Sequence, residues 1–239
     1  MTVRLAMWSG PRNISTALMR SWENRPDSKV VDEPLYAYYL DQTKLNHPAR
    51  DEVIAAGEPD WEKAVAELVG PQDDAVAVYY QKHMTHHLIP QLPREWISEL
   101  DNVLLIRDPF EVVASYVRSR ADVVAEDIGL VQATELYDQL GPETPVIDAG
   151  DFLRNPEGYL RWLCDRFGLP FTDRMLSWPP GPRDSDGVWA PYWYDAVLAS
   201  TCFEAYRPRE VHLGGAELAA AETSRPHYER LYDTRIVIN

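Results

Sequence analysis

Short apolar runs alternate with amphipathic stretches along the first two thirds of the chain. The runs have the length and the β-branched or aromatic content of buried strands, and they lie at 5–8, 30–31, 75–80, 102–106 and 145–148. Between them, stretches such as 61–69 and 157–167 carry apolar residues at helical spacing. This alternation predicts an α/β fold with a central parallel sheet of about five strands and helices on both faces.

Capping residues indicate where several of these helices begin and end. Asp60 precedes one amphipathic stretch and Asp108 another, where Pro109 suits the first helical position and Glu111 completes a capping box. Gly168 is expected to stop the helix over 157–167. Further helices are predicted at 35–40, 125–140, 196–206 and 216–232, and we interpret 47–57 as an insertion.

The character of the chain changes at Trp178. Residues 178–194 are rich in proline, glycine and aromatic residues, which is typical of a lid or binding loop. The chain has 239 residues and contains no internal repeat, low-complexity tract or convincing linker. We therefore predict a single domain over 1–239, with an aromatic loop and helices from about 178.

Net charge narrows the range of partners. A formal charge of −15 argues against general binding to nucleic acid or anionic membranes, because both require a positive field. No apolar run approaches the roughly 20 residues of a membrane span, and no signal-peptide pattern is present. Cys164 and Cys202 belong to no motif, so we expect reduced thiols and a cytoplasmic location. The oligomeric state stays open.

The first apolar run leads into a stretch that can bind an anion. After Trp8 the chain continues with Ser9, Gly10, Pro11, Arg12, Asn13, Ile14, Ser15 and Thr16. This order predicts a strand, a tight loop and a helix N-terminus, whose unpaired N–H groups attract anions. Arg12 adds a cation suited to phosphate or sulfate. The alternative is an ordinary strand-to-helix turn with a polar cap.

The same loop departs from the Walker A motif of nucleoside triphosphatases. It has no lysine, and Ser15 and Thr16 follow Gly10 at positions where that motif has other residues. The Walker lysine and its metal-binding hydroxyl serve a polyphosphate with Mg²⁺. A P-loop nucleotide kinase or NTPase is thus the second hypothesis, in which Asp32 or Asp108 would hold Mg²⁺.

A second stretch can hold another anionic group. Arg107 ends a buried strand, and Ser115 follows eight residues later on the capped helix. A guanidinium and a hydroxyl fixed in this way can clamp an anion. The alternative is that Arg107 pairs with Asp108 or Glu111 while Ser115 lies on the helix surface.

Together, the two stretches resemble the cofactor signatures of the sulfotransferase family, which uses 3′-phosphoadenosine 5′-phosphosulfate (PAPS). In that family the first loop cradles the 5′-phosphosulfate, and an arginine and a serine eight residues apart hold the 3′-phosphate. The resemblance implies a P-loop-type three-layer sandwich and assigns the eight residues from Ser9 to Thr16, with Arg107 and Ser115, to the cofactor. The chain is more similar to a bacterial group of small sulfotransferase-like proteins, and a related domain occurs beside aminotransferase-like domains in plants.

The resemblance also implies catalytic residues. Glu33 in Glu33-Pro34 is similar to a glutamate that can act as the base, although it could instead cap a helix. His83 follows Lys82 in a segment that loosely resembles the one bearing the base of cytosolic members. Arg12 would stabilise charge on the transferred group. Arg183 is a stand-in for a C-terminal arginine segment, absent here, that reaches the 3′-phosphate.

The remaining histidines and aromatic residues have structural alternatives. Spacing would place His83, His86 and His87 on one helix face, as in a metal site, but we expect no metal and treat His86 and His87 as partly exposed. Trp189, Tyr192, Trp193 and Tyr194 would wall a ligand site or simply form core.

The sequence thus predicts a sulfotransferase that moves a sulfuryl group from PAPS to a hydroxyl or amine of a small-molecule acceptor and releases 3′,5′-diphosphoadenosine. Besides the kinase or NTPase, a third hypothesis is a nucleotide-binding module without catalytic activity on the same scaffold.

Overall fold

The computed structural model describes residues 2–118, 123–208 and 210–238. Its centre is a five-stranded sheet in the order β2-β3-β1-β4-β5, and every strand pair is parallel. The strands are β1 (Val3–Ser9), β2 (Ser28–Asp32), β3 (Val78–Met84), β4 (Asp101–Ile106) and β5 (Val146–Asp148). The predicted α/β architecture with a parallel sheet of about five strands is confirmed.

Helices cover both faces of this sheet. They are α1 (Ser15–Glu23), α2 (Tyr36–Thr43), α3 (Arg50–Ala56), α4 (Trp61–Val69), α5 (Pro109–Tyr116), α6 (Ala125–Ile128), α7 (Leu130–Leu140), α8 (Ala149–Arg154), α9 (Pro156–Arg166), α10 (Ala190–Trp193), α11 (Asp195–Ala199) and α12 (Gly215–Asp233). One core cluster joins Trp8 and Leu104 to α4, α5, α7 and α12. The other joins Met7 and Leu105 to α1, α8 and α9. Alternate residues of each strand therefore fill opposite layers, as the period of two requires.

Several elements differ from the sequence prediction. The third strand begins at Val78 and continues to Met84, so Gln81 to Met84, which were predicted to follow it, are part of it. The segment 47–57 contains α3. The helix predicted over 125–140 is two helices, because Gly129 adopts a left-handed conformation with φ of 75°.

Gly129 allows the sheet edge to pack closely against the α6–α7 junction. Its carbonyl oxygen accepts a hydrogen bond of 2.7 Å from Thr85 Oγ1, and that hydroxyl also lies 3.3 Å from the Ser9 carbonyl. A Cβ atom at Gly129 would overlap the Thr85 hydroxyl, and one at Gly10 would overlap the Ile128 carbonyl oxygen. Gly10 is therefore required by the close approach of two backbones, and Gly129 by its left-handed conformation and the adjacent Thr85 hydroxyl.

The predicted caps are present, with one exception. The Asp60 side chain accepts from Glu62 N, and Asp108 Oδ1 accepts from the N–H groups of Phe110 and Glu111. Glu111 does not complete the capping box, because its carboxylate pairs with Arg107.

Residues 178–199, which we call the late aromatic segment, are more ordered than a plain loop. They contain α10 and α11. α11 ends at Ala199, well before the end of the helix predicted over 196–206. A small cluster joins Trp189, Ala190 and Tyr194 to α2 and α3. In the described part of the chain, no helix is both long enough and apolar enough to cross a membrane.

We expect Gly129→Ala to lower the free energy of unfolding by about 2–4 kcal/mol, because a left-handed alanine costs about 1–2 kcal/mol and the new methyl group displaces Thr85. Gly168→Ala is the matched control: Gly168 has φ of 66° but open space around it, so only the backbone cost applies. Urea unfolding would compare the two. An equal loss of unfolding free energy in the two variants would show that the contact with Thr85 adds nothing to the backbone cost at Gly129.

Candidate active site

A cavity of about 410 Å³ lies at the carboxyl edge of the sheet, where β1 to β4 end. In parallel α/β sheets this edge carries ligand sites. Its wall combines the loop after β1, the ends of β2 and β3, the helix after β4 and the late aromatic segment. Ser115 lies in this wall with many charged and aromatic side chains, among them Arg12, Glu33, Tyr36, Lys82, His87, Arg107, Arg118, Trp189, Trp193 and Tyr194.

Three predicted residues meet at one end of this cavity. Arg12 Nε donates to Ser115 Oγ at 3.2 Å, and Arg12 Nη1 donates to the Trp193 carbonyl oxygen at 3.2 Å. Arg107 Nη1 donates to the Arg12 carbonyl oxygen at 2.8 Å. Arg12 itself has φ of 55°, a left-handed conformation that is costly for a residue with a Cβ. The two motifs, far apart in sequence, thus form one corner, and the Arg12 side chain points to the Ser115 end.

Positive charge accumulates in this corner. Burial lowers the pKa of Arg12, and the like charges of Arg107 and Arg118 lower it further. Arg107 also forms an ion pair with Glu111, at 2.8 Å, which is one of the pairings that the sequence left open as an alternative. Guanidinium groups that repel one another are stabilised when an anion lies between them. In a chain of net charge −15, the corner is a local basic pocket of the kind an anionic ligand requires.

The loop after β1 contributes a helix N-terminus. Pro11 to Thr16 line the cavity, and the N-cap residue Ile14 forms no side-chain cap for α1. Asn13 shapes the turn, since its Nδ2 donates to the Leu105 carbonyl and its Oδ1 accepts from Ile14 N. The N–H groups of the first turn of α1 therefore face the side on which an anion can bind. Ser9 and Gly10 do not line the cavity.

At the other end, Lys82 is buried among acidic and phenolic oxygens. Its Nζ donates to Asp32 Oδ1 at 2.7 Å, Glu33 Oε1 at 2.6 Å and Tyr194 Oη at 2.7 Å. An ammonium group has three N–H donors, so all of them are used. Burial by itself would lower the pKa of Lys82, but the Asp32 and Glu33 carboxylates outweigh it and hold the pKa well above its ordinary value.

Glu33 combines an unusual backbone with a perturbed carboxyl group. Its φ is 43°, a strained conformation for a non-glycine residue, and its N–H donates to the Lys82 carbonyl. Burial raises the pKa of Glu33, Lys82 opposes this, and the neighbouring Asp32 raises it again. A carboxylate of raised pKa at the cavity wall is suited to accept a proton.

The structure does not bring His83 into the cavity. Because β3 continues to Met84, residues 82 and 84 face the cavity and His83 faces the opposite layer. Its ring stacks on Trp8 with centroids 4.1 Å apart, and its Nε2 lies 3.1 Å from Gln81 Oε1. Burial lowers the pKa of His83 to about 3. The assignment of His83 as a base is therefore corrected, since a strand end predicted too early put it on the wrong side.

His87, and not His83, lines the cavity wall. It is 1% exposed, so the expectation that it is partly exposed is wrong. Its ring stacks on Tyr36 and Tyr39, with centroids 4.9 Å and 4.7 Å away. Among the described residues, neither ring nitrogen has a hydrogen-bond partner. Burial lowers the pKa of His87 well below its ordinary value, and the neighbouring His86 and Lys82 lower it further, so the ring is neutral.

Two further expectations concern histidines and Arg183. His83 lies on a strand and faces away from His86 and His87, so the three rings do not share a helix face. Within 2–118, 123–208 and 210–238, no group of three or more histidine, cysteine or acidic side chains is placed to hold a metal. Arg183 lies outside the cavity wall; its Nη2 donates to the Pro179 carbonyl and its N–H donates to Asp186.

The late aromatic segment divides between wall and surface. Trp189, Trp193 and Tyr194 line the cavity, whereas Tyr192 is 52% exposed. The sequence pattern assigns no role to Lys82 or Arg118. Lys82 could have been found from the alternation of Val78, Tyr80 and Lys82 on one strand face.

Comparison with known proteins fits this geometry. The family model described as a sulfotransferase domain matches residues 3–224. The chain belongs to this sulfotransferase family. Two proteins of Arabidopsis thaliana, named branched-chain-amino-acid aminotransferase-like protein 1 and protein 2, are each 38% identical to it. The matches cover 94% and 83% of this chain but only 40% and 36% of those proteins, so the chain spans about two fifths of the length of these curated relatives.

Solved sulfotransferase structures share the fold. A sulfotransferase domain from the curacin biosynthetic pathway has a TM-score of 0.52 and 16% identity, covering 93% of this chain and 97% of that one. A sulfotransferase from Alicyclobacillus acidocaldarius has a TM-score of 0.50 and 13% identity, covering 75% and 87%. The predicted family and P-loop-type fold are confirmed.

Acid should unfold the protein partly through His83. Its pKa is about 3 when folded and about 6.5 when unfolded, so between these values only the unfolded chain binds the proton. We expect the free energy of unfolding to fall below pH 6.5, by about 1.4 kcal/mol per pH unit for each such histidine. Urea unfolding from pH 7 to pH 4 would measure the slope.

His83→Phe keeps a ring on Trp8 and should reduce that slope, whereas His212→Phe, at an exposed position, should leave it unchanged. An unaltered slope in His83→Phe would mean that His83 is not held neutral.

Proposed function

We propose that this sulfotransferase-family chain transfers the sulfuryl group of PAPS to a hydroxyl or amine of a small-molecule acceptor. One observation carries the proposal: a single cavity contains three features. They are the corner formed by Arg12, Arg107 and Ser115, which we call the arginine corner, the uncapped N-terminus of α1, and the buried pair of Lys82 and Glu33. The first two features suit the two anionic ends of PAPS, and the third suits proton transfer. The volume of the cavity is within the range of small-molecule sites.

The arginine corner would receive the 3′-phosphate. Arg107, Ser115 and Arg12 converge there, and Arg118 adds charge. The N–H groups of Ser15 and Thr16 in the first turn of α1 would hold the 5′-phosphosulfate. This assignment moves the Arg12 side chain from the transferring group, where the family resemblance put it, toward the 3′-phosphate.

Lys82 and Glu33 would act on the transfer itself. The acceptor oxygen or nitrogen forms a bond to sulfur, the bond from sulfur to the phosphate oxygen of PAPS breaks, and the acceptor proton passes to Glu33. The products are the sulfated acceptor and 3′,5′-diphosphoadenosine. Lys82 would stabilise negative charge that develops on the sulfuryl and leaving oxygens, because its ammonium is fixed and shielded from water.

The aromatic wall beside this pair would bind the acceptor. His87 is neutral and its ring nitrogens have no partner among the described residues, so it can both donate to and accept from a hydroxyl. Tyr36 and Trp189 pack edge to face with centroids 5.1 Å apart and shape an apolar surface next to Glu33.

We expect Arg107→Ala to weaken binding of 3′,5′-diphosphoadenosine by roughly 100-fold, which corresponds to the loss of about two charge-assisted hydrogen bonds. Binding of adenosine 5′-phosphate, which has no 3′-phosphate, should change little. Isothermal calorimetry would measure both. Arg225→Ala is the matched control, because Arg225 also pairs with a glutamate four residues later but has an exposed side chain on α12.

Equal losses for the two nucleotides would contradict the assignment of Arg107 to the 3′-phosphate. Tight binding of ATP with Mg²⁺, and none of 3′,5′-diphosphoadenosine, would instead support the kinase or NTPase hypothesis.

We expect Glu33→Gln to slow sulfuryl transfer by about 100- to 10,000-fold while calorimetry shows unchanged binding of 3′,5′-diphosphoadenosine. Transfer of label from radiolabelled PAPS to a panel of phenols, alcohols and amines would measure the rate. Glu95→Gln, on an exposed glutamate, is the control.

An undiminished rate in Glu33→Gln would remove Glu33 as the base. Nucleotide binding without transfer to any acceptor, in the unaltered protein, would favour the binding-module hypothesis.

A further inference from the structure

Two adjacent residues at the end of α10 contact opposite halves of the cavity. The Trp193 carbonyl oxygen accepts from Arg12 Nη1 in the arginine corner. The Tyr194 hydroxyl accepts from Lys82 Nζ and donates to Asp32 Oδ2, at 2.7 Å and 2.6 Å. The end of this short helix therefore contacts both Arg12 and Lys82 and fixes the two cations relative to each other.

The Tyr194 hydroxyl is fully engaged. A phenol has one donor and two acceptor positions. The donor goes to Asp32, and the acceptors receive Lys82 Nζ and Trp189 Nε1, the latter at 3.1 Å. The residue is 4% exposed, so water does not compete for these positions. Its orientation is thereby fixed, as in other satisfied buried networks.

This arrangement matters when Glu33 leaves Lys82. Lys82 uses all three N–H donors on Asp32, Glu33 and Tyr194. A Glu33 carboxylate that turns toward an acceptor gives up its bond to Lys82. Asp32 and Tyr194 are then the partners that keep the ammonium in place, and the freed N–H can contact the transferred group.

We propose that Tyr194 is a positioning residue that holds Lys82 in the geometry for transfer while Glu33 exchanges partners. The inference rests on the proposed function, and it assigns the late aromatic segment a role in catalysis as well as in walling the cavity. Tyr194 acts through Lys82 and Asp32.

The backbone around Tyr194 does not depend on its hydroxyl. Arg20 pairs with both oxygens of Asp186 at 2.5 Å and 2.7 Å, and Gly187 N donates to Asp32 Oδ2. The Tyr194 ring packs in the cluster with Tyr36 and Trp189. Tyr194→Phe therefore keeps the ring and the segment and removes the hydroxyl alone.

The test compares Tyr194→Phe with Tyr192→Phe, which removes a hydroxyl from an exposed ring two residues away. We expect Tyr194→Phe to lower kcat roughly 10- to 100-fold, with KM for PAPS and binding of 3′,5′-diphosphoadenosine unchanged. The alkaline limb of the kcat–pH profile should move to lower pH, because the Lys82 ammonium loses one of three acceptors. Tyr192→Phe should match the unaltered protein.

Lys82 titrates among several other ionisable groups. These are Asp32 and Glu33 at the end of β2, Tyr80 on its own strand, His87 after that strand, and Tyr194. An NMR titration of the Lys82 ammonium measures the change in the Lys82 pKa without substrate. The ammonium signal is assigned as the one that is absent in Lys82→Met. The midpoint of the titration should be lower in Tyr194→Phe than in Tyr192→Phe.

Two results would overturn the inference: an unchanged Lys82 titration in folded Tyr194→Phe, or a kcat loss matched by an equal loss of nucleotide affinity. The proposed function fails separately, since unaltered protein that neither binds 3′,5′-diphosphoadenosine nor transfers label would contradict it even if the Lys82 titration shifts.

Discussion

The buried ammonium of Lys82 is the constraint around which the cavity is arranged. A lysine removed from water is costly unless each N–H finds an acceptor and its charge is balanced. Here β2 supplies two carboxylates in succession, Asp32 and Glu33, and the late segment supplies a phenol. Pairing of β2 with β3 sets Asp32 beside Lys82 in the sheet register. Lys82 thus connects β3 to the end of β2 and to the residue that follows α10.

In the part of the cavity that contains the arginine corner, positive charges outnumber negative ones. Arg12, Arg107 and Arg118 approach one another, and among the described residues Glu111 alone lies within ion-pair distance of these guanidinium groups. Ser115 and the Trp193 carbonyl accept hydrogen bonds from Arg12, and the Arg12 carbonyl accepts one from Arg107. Anion binding would add the missing negative charge, so affinity and specificity can come from a few residues within an otherwise repulsive surface.

The match to proteins named aminotransferase-like does not alter the chemistry of the site. Those proteins are much longer than this chain, and the sulfotransferase domain model covers nearly all of the chain. The cavity residues all lie within that matched range. Function therefore follows from the groups that meet in the cavity, since the same fold supports different activities.

Local sequence determined the elements and the first outline of the site. Apolar periodicity placed five parallel strands and most helices, Asp60 and Asp108 capped their helices, and spacing paired Arg107 with Ser115. The structure decided which face each residue occupies. His83 was misassigned because polar residues 81–83 hide the last residues of β3, and the strand continues through them by pairing with β1, a long-range contact. The roles proposed for His87 and Tyr194 rest on packing, because each contacts residues that are distant in sequence and buried with it.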